Sequence, residues 1–491
     1  MNKAFVFVDL NIDSGCFGVN NGIAYLVPIA RKSGYDVFCI RLTSEIPQEY
    51  FKLRLKYLKS RYNDLIVGFS VTSHKIKFLE KYSNSITELG IFQVAGGPAC
   101  TLEPLTVLKY SAVDAVCVGE GEEPLKELLA ALQEGNNIHE TRGFVWRKNK
   151  DLFSQDFDPV KKSSPSFVKS LDKLEYPDYS VFPREAVIRH KRVILMLGRG
   201  CPYNCTYCCN SAMVSVYDSL HGYLRLPSVD WAIGLLKKLK AEYPEVEVFR
   251  IDDDLLIAKK KWFMEFAKRY RDEVKIPYYA NVRAENIDNE IVTALAMSGC
   301  KVLQIGLEQG NEAFRKKYLN RGYSNKMLLE KCTMLKKAGL SVVCFNMIGF
   351  PFETSDLMKE TLKLNKLIKP DGGLCSFFTP YKRTRLYEVC KENNLLLEND
   401  EIMDIPSYYS SPTIRMSHEL KALCINIHKK ISMYLAYRTM IWNIAQDPFY
   451  SYKFLKQYIL FCWYKYWNEK VQILYAPARW LYNRIKEFRK K

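Results

Sequence analysis

Gly198-Arg199-Gly200-Cys201-Pro202-Tyr203-Asn204-Cys205-Thr206-Tyr207-Cys208-Cys209-Asn210 sets three cysteines at the spacing C-x3-C-x2-C. A short loop can turn three thiolates at that spacing toward one point. Three thiolates on a cubane [4Fe-4S] cluster leave the fourth iron without a protein ligand. An open position of that kind separates catalytic metal sites from structural ones. The apolar run Val193-Ile194-Leu195-Met196-Leu197 reads as a strand leading in, and Gly198 and Gly200 let the backbone approach a bulky inorganic body. The alternatives are a zinc site or plain loop cysteines. Zinc prefers four ligands from paired C-x2-C or C…H motifs, and no His or second Cys pair follows at such a spacing.

Downstream of the loop, strand and helix patterns alternate. Ser228 reads as the N-cap of a helix over 229–243. Strand patterns at 246–251, 278–282, 302–306 and 342–348 end at Asp252-Asp253-Asp254, Arg283, Glu308 and Gly349-Phe350-Pro351. The repeated unit suits a partial barrel of parallel strands with chemistry at the strand C-termini. An acidic triplet is commonly a solvated turn, and Arg283 and Glu308 could pair structurally with each other or with neighbours. Upstream, strands are predicted at 4–8, 36–40, 64–70, 92–95 and 115–118, with helices between, so residues 1–135 read as βαβ units on a parallel sheet. The loops Gly68–Thr72, Ala95–Pro98 and Val118–Glu122 fall at strand ends, where ligands bind in such sheets. Gly15–Gly22 does not spell the G-x-G-x-x-G of a dinucleotide site. Gly143–Arg147 reads as one strand of a hairpin within a linker, 136–185.

The cysteine loop resembles the signature of the radical S-adenosylmethionine (radical SAM) enzymes. By that resemblance Cys201, Cys205 and Cys208 are the cluster ligands, Tyr207 lies near the adenine, and Cys209 is a bystander. The resemblance implies S-adenosylmethionine on the open iron and its reductive cleavage to a 5'-deoxyadenosyl radical. It offers Asp252 and Asp253 for the methionine part, Arg283 for the methionine carboxylate or ribose, Glu308 as a further contact, and the backbone of Met347–Thr354 against the adenine. The early loops resemble the cobalamin-binding domain found ahead of the barrel in one radical SAM subfamily. Ser70, Thr72, Gly96, Gly97, Gly119, Glu120 and Gly121 would then line the corrinoid and its nucleotide tail. The D-x-H-x-x-G motif that offers cobalt a histidine is absent: Asp13-Ser14-Gly15-Cys16 carries Cys16 in its place. Thr379-Pro380-Tyr381-Lys382-Arg383-Thr384 resembles the family's P-x-P-G-T turn without its glycine, which predicts an altered, basic barrel closure.

The expected fold is therefore α/β. It comprises a Rossmann-like cobalamin-binding domain (1–135), the linker, a partial (β/α)6 radical SAM barrel (186–390) and a helical C-terminal region (391–491). The 491 residues carry a net charge of +18, and 48% are hydrophobic. That allows large cores and favours anionic partners. Fifteen scattered cysteines and no cleavable leader pattern suit a reducing cytoplasm. Residues 441–491 hold ten Lys/Arg, three Asp/Glu and 15 aromatics. They read as a helical cap, as a surface for the inner membrane face, or, last, as a nucleic-acid surface. The expected activity is methylation of an unactivated carbon, using a [4Fe-4S] cluster, S-adenosylmethionine, cobalamin and an external electron donor. The alternatives are cyclisation or oxidation without methyl transfer, and a non-catalytic iron–sulfur redox or sensor protein. The substrate is a small molecule, lipid-like compound or peptide.

Overall fold

The computed structural model describes residues 2–12, 18–148, 152, 158–165, 167–217, 222–398 and 407–446. The strand patterns resolve into two six-stranded sheets. The first holds β1 (Lys3–Leu10), β2 (Asp36–Leu42), β3 (Asp64–Ser70), β4 (Phe92–Gly96), β5 (Ala115–Cys117) and β6 (Phe144–Trp146) in the order β2-β1-β3-β4-β5-β6. All pairings are parallel except β5 with β6. The second holds β7 (Arg192–Leu195), β8 (Val248–Ile251), β9 (Tyr278–Val282), β10 (Cys300–Glu308), β11 (Ser341–Ile348) and β12 (Gly372–Phe377), all parallel in sequence order, as a half-barrel.

Strands such as β1 are buried on both faces because helices cover both, which is why they read as unbroken apolar runs. One face of the first sheet (Ala4, Val6, Val8, Val67, Phe69) has its own core. The other (Phe5, Phe7, Ile66, Val94) shares a continuous core with the covered face of the half-barrel (Val193, Leu195, Phe249, Tyr278). The helices Asn21–Lys32 and Glu122–Glu134 lie in that shared core through Ile23, Val27, Leu128 and Leu129.

Two expectations change. β6 forms no hairpin, because the helix Glu122–Glu134 separates it from β5. Residues 136–185 also do more than link: they supply β6 to the first sheet and Tyr179 and Phe182 to the shared core. After β12, the helix His418–Gln446 packs Ile427, Ile431 and Leu435 on Cys375 and Phe377 of that edge strand. Of the C-terminal tail, 447–491 lies outside the described residues. Among the described residues no helix is long and apolar enough to cross a membrane.

Candidate functional site

The cysteine loop leaves β7 and is anchored from below. Asp253, buried at the end of β8, accepts the N–H groups of Leu197 (2.6 Å) and Gly198 (2.8 Å). Burial pushes its carboxyl up to about 7, against those two bonds. Gly198 and Gly200 are needed for close packing. A Cβ on Gly198 would meet Leu226 at 2.5 Å, and one on Gly200 (φ +84°) would meet the Tyr223 carbonyl at 2.4 Å. The far end is pinned where Leu386 N–H donates to the Thr206 carbonyl at 3.0 Å. Cys205 and Tyr207 pack with Phe314, Phe350 and Phe378.

Cys201, Cys205 and Cys208 are free thiols on this one loop. Burial pushes Cys201 up to about 11 and raises Cys205, which Arg321 and Arg283 oppose. A hydrogen bond to Cys209 and burial hold Cys208 up, while that bond holds Cys209 down. Among the described residues no group of three His, Cys, Asp or Glu side chains stands ready around a metal ion. Loading requires the thiols to lose their protons. The donor set is sulfur alone, which suits iron–sulfur ligation. Arg283 Nη1 donates to Cys205 Sγ at 3.2 Å, its guanidinium lies 3.6 Å from the centre of the Tyr203 ring, and its buried Nε has no partner.

The other strand-end residues divide. Asp252 pairs with Arg250 at 2.7 Å. Glu308 takes a left-handed backbone (φ +65°) at a register shift in β10 and curls back over Gly306, where a Cβ would lie 2.3 Å from Oε1. Its partner is not Arg283 but Arg321, at 3.0 Å. Arg321 is buried, also donates to Tyr207 Oη (3.0 Å) and the Gly306 carbonyl (2.7 Å), and keeps an unpartnered Nε. Sequence reasoning missed it because it sits in a loop without periodic signal. Glu353, in the Met347–Thr354 segment, accepts Gln309 Nε2 and the N–H groups of Gly349 and Phe350. Burial pushes it up to about 7.

At the C-terminal ends of the first sheet lies a cavity of about 280 Å³. Ser70, Gly96, Gly97, Gly119, Glu120 and Gly121 line it, as do Phe5, Phe7, Leu26 and Val94. Its far wall is Met196–Arg199, the start of the cysteine loop. Thr72 is the exception: it is exposed and outside the lining. The apolar walls and bare glycine backbone fit a flat, largely apolar cofactor face. Glu120 turns its carboxylate away into a buried charge network. It accepts Arg225 Nη1 (3.0 Å) and Nη2 (2.6 Å), faces Arg199 Nη1 at 3.1 Å, and takes the Val168 N–H at 2.9 Å. Arg199 also pairs with Glu122. The network joins the cavity wall to the cysteine loop two residues before Cys201.

The basic turn is likewise spent on the first domain rather than on the barrel mouth. Lys382 donates to Thr106 Oγ1 (2.6 Å) and faces Glu103 at 3.4 Å, and Arg383 Nε donates to the Leu102 carbonyl at 3.3 Å. Arg383 holds φ +67° at the position of the missing glycine. Cys16, at 13–17, lies outside the described residues.

A first sheet with ligand loops at its strand ends, set against a half-barrel whose first loop carries three cysteines, defines a two-part α/β protein. Residues 195–364 match the radical SAM superfamily, so the chain carries a radical SAM domain. Over 445 residues it is 26% identical to an uncharacterized methyltransferase of Pyrococcus horikoshii, covering 88% of this chain and 91% of that protein. It is 24% identical to the anaerobic magnesium-protoporphyrin IX monomethyl ester cyclase of Cereibacter sphaeroides, across 79% of this chain and 63% of that protein. The fold is similar to that of the radical S-adenosylmethionine methyltransferase TsrM of Kitasatospora setae, solved with cobalamin and a [4Fe-4S] cluster. The TM-score is 0.64 at 15% identity, covering 80% of this chain and 75% of that one.

Proposed function

We propose that this radical SAM protein binds a [4Fe-4S] cluster, S-adenosylmethionine and cobalamin, and methylates an unactivated carbon of its substrate. The observation that carries the reading is the single cavity shared by the glycine loops of the first sheet and the start of the cysteine loop. A corrinoid there and a cluster on the loop would be neighbours. The relatives named methyltransferases and the TsrM-like fold support the same reading.

When bound, the cofactors would supply a deoxyadenosyl radical, which takes hydrogen from the substrate, and a methyl group to replace it. The chain's own residues bind and orient. Cys201, Cys205 and Cys208 would hold the cluster. Asp253 fixes the loop through two backbone amides. Arg283 sets a positive charge on Cys205 Sγ. The Tyr207–Arg321–Glu308 set would border the S-adenosylmethionine, with Glu353 stiffening the backbone of Gly349 and Phe350 beside it. Ser70, Gly96, Gly97, Gly119 and Gly121 would face the corrinoid.

The test uses protein purified without oxygen, with cluster and hydroxocobalamin restored, incubated with S-adenosylmethionine and a strong reductant. The expected result is 5'-deoxyadenosine and a retained corrinoid spectrum, with cleavage lost in the Cys201→Ala/Cys205→Ala/Cys208→Ala variant. Cleavage without corrinoid retention would remove methyl transfer from the reading. No cleavage from an intact cluster would favour a redox or sensor protein. A second reading, ring closure without methyl transfer, draws on the cyclase likeness. It predicts no transfer of labelled methyl to product.

A further inference from the structure

The cysteine loop reaches the surface between its first two cysteines, where Pro202 and Asn204 are exposed. Two hydrogen bonds tie this stretch to the end of the helix Glu312–Tyr318 and the residues after it. Thr206 Oγ1 donates to the Tyr318 carbonyl, and Asn320 Nδ2 donates to the Asn204 carbonyl at 2.7 Å. The Tyr318 ring packs against the apolar cluster that holds Cys205. It also meets the Phe352 ring, at 5.5 Å between centres. Tyr318 thus joins an exposed aromatic ring to the cysteine loop.

Phe352 is unusual in two respects. It is 48% exposed, while Pro351 and Glu353 on either side are buried. Its backbone is left-handed (φ +64°), a conformation that a bulky residue adopts only when its surroundings hold it there. The buried Glu353 carboxylate fixes the approach by accepting the N–H groups of Gly349 and Phe350. Cations flank the two rings. Lys316 and Lys317 are exposed on the helix that carries Tyr318, and Lys317 Nζ lies 4.8 Å from the centre of the Tyr318 ring. Of the neighbouring carboxylates, Glu353 is buried, Glu312 accepts the Asn325 N–H and Asp356 pairs with Lys359, so the charge of both lysines is left over on this face. Arg385 is exposed as well, next to Leu386, whose N–H donates to the Thr206 carbonyl.

We propose that this face docks the electron donor, a small acidic protein that carries one electron. Phe352 and Tyr318 form the apolar centre, and Lys316, Lys317 and Arg385 the cationic rim. An aromatic centre inside a charged rim is the anatomy of a protein interface. A cationic rim selects an acidic partner and speeds its approach, and electron-transfer encounters need only a small area. Residues 204–206, bonded to Tyr318 and Asn320, give the donor a short route to Cys205. The carrier gives up one electron to the cluster and leaves oxidised by one; no bond is made or broken and no proton moves. The inference rests on the radical SAM reading for the cluster, but docking is measured separately from S-adenosylmethionine cleavage.

The probes are two acidic carriers of unrelated fold, a flavodoxin and a [2Fe-2S] ferredoxin. Chain loaded with cluster and hydroxocobalamin is immobilised, and the affinity for each oxidised carrier is read by interferometry at low and high salt. In parallel, deoxyadenosine formation is driven either by the reduced carrier or by dithionite, which is too small to need the face. Lys316→Gln/Lys317→Gln is expected to weaken both carriers about tenfold, for the loss of two rim charges, and to flatten the salt dependence. It should slow carrier-driven cleavage and leave dithionite-driven cleavage unchanged. Phe352→Asn, which tolerates the left-handed backbone, is expected to weaken binding about tenfold, as the loss of an aromatic anchor. Lys56→Gln/Lys59→Gln, on an exposed stretch of the first domain, lowers the net charge equally and is expected to change neither readout. Absence of dithionite-driven cleavage in the unaltered chain would count against the radical SAM reading, not against the face. No binding of either carrier to the unaltered chain, an unchanged affinity in Lys316→Gln/Lys317→Gln, or an equal loss in Lys56→Gln/Lys59→Gln would overturn the proposal. So would a parallel fall in the dithionite-driven rate, which would make the two lysines supports of the cysteine loop.

Discussion

Glu120→Gln tests whether the charge network at the junction holds the two sheets in register. The variant keeps the size of the side chain and its bond from Val168 N–H, but removes the charge facing Arg225 and Arg199. An exposed pair would contribute at most about 1 kcal/mol. Here the side chains of Glu120 and Arg225 are only 16% and 6% exposed. Arg199 would be left with Glu122 alone and Arg225 with only the Tyr223 and Val168 carbonyls, which places the cost at about 3–5 kcal/mol. Unfolding entropy of roughly 2.1 cal/mol/K per residue gives about 1 kcal/mol/K for this chain. The expected fall in Tm by calorimetry is therefore about 3–5 °C near pH 7.5. Burial works against the charge of Glu120, but the Arg225 bond and the Arg199 charge outweigh it, so its folded pKa lies below the ordinary 4.5. A depressed carboxylate contributes stability that is present above its unfolded pKa and lost as pH falls through the folded one. The gap between variant and native chain should therefore close in acid. Glu120→Gln/Arg225→Met, which also removes a stranded cation, should recover most of the loss. A variant melting with the native chain, or a double variant losing the sum of both singles, would refute the reasoning.

Arg283→Met should make the cluster potential more negative by tens of millivolts, on the order of 59 mV for each tenfold shift of a one-electron couple. The positive charge and the bond to Cys205 Sγ favour the reduced cluster; potentiometry followed by electron paramagnetic resonance reads the shift, and an unchanged potential counts against that contact. At Arg383, the left-handed backbone costs a non-glycine residue about 1 kcal/mol. Arg383→Gly should thus melt above Arg383→Ala although both lose the bond to Leu102, and the reverse order would show that the conformation is not retained. Glu353 is protonated in the folded chain up to about 7 and in the unfolded chain only to about 4.5. The folded state then holds the extra proton between those values, and stability falls as pH rises through that window. Urea midpoints at pH 5 and 7 should show a smaller drop in Glu353→Gln than in the native chain.

What could be read in advance follows from how far each interaction reaches along the chain. The strands were legible because parallel strands covered on both faces must be continuous apolar runs, and β3 and β9 fall where those runs do. The cavity was legible because glycines at strand ends have few other uses, and five of them share one lining. The acidic triplet held a signal that composition alone hides. Phe249 and Ile251 face the core, so the period of two puts Asp253, not Asp252, on the covered side. That parity separates the residue that anchors the loop from the one paired with Arg250. Arg321 and Arg225 carried no such signal. Their partners Tyr207 and Glu120 stand 114 and 105 residues away, and only the closing of the half-barrel and its docking on the first sheet bring them together. Arg383 lies between these cases. The missing glycine was visible, but the sequence suggested a changed barrel mouth. The structure instead keeps the glycine's backbone conformation and turns the longer side chain onto the first domain. A departure from a motif thus kept the local geometry and altered the distant contact. The strain at Arg383 and the bond it makes to Leu102 are then two parts of one adaptation, fastening the barrel's closing turn to the first domain.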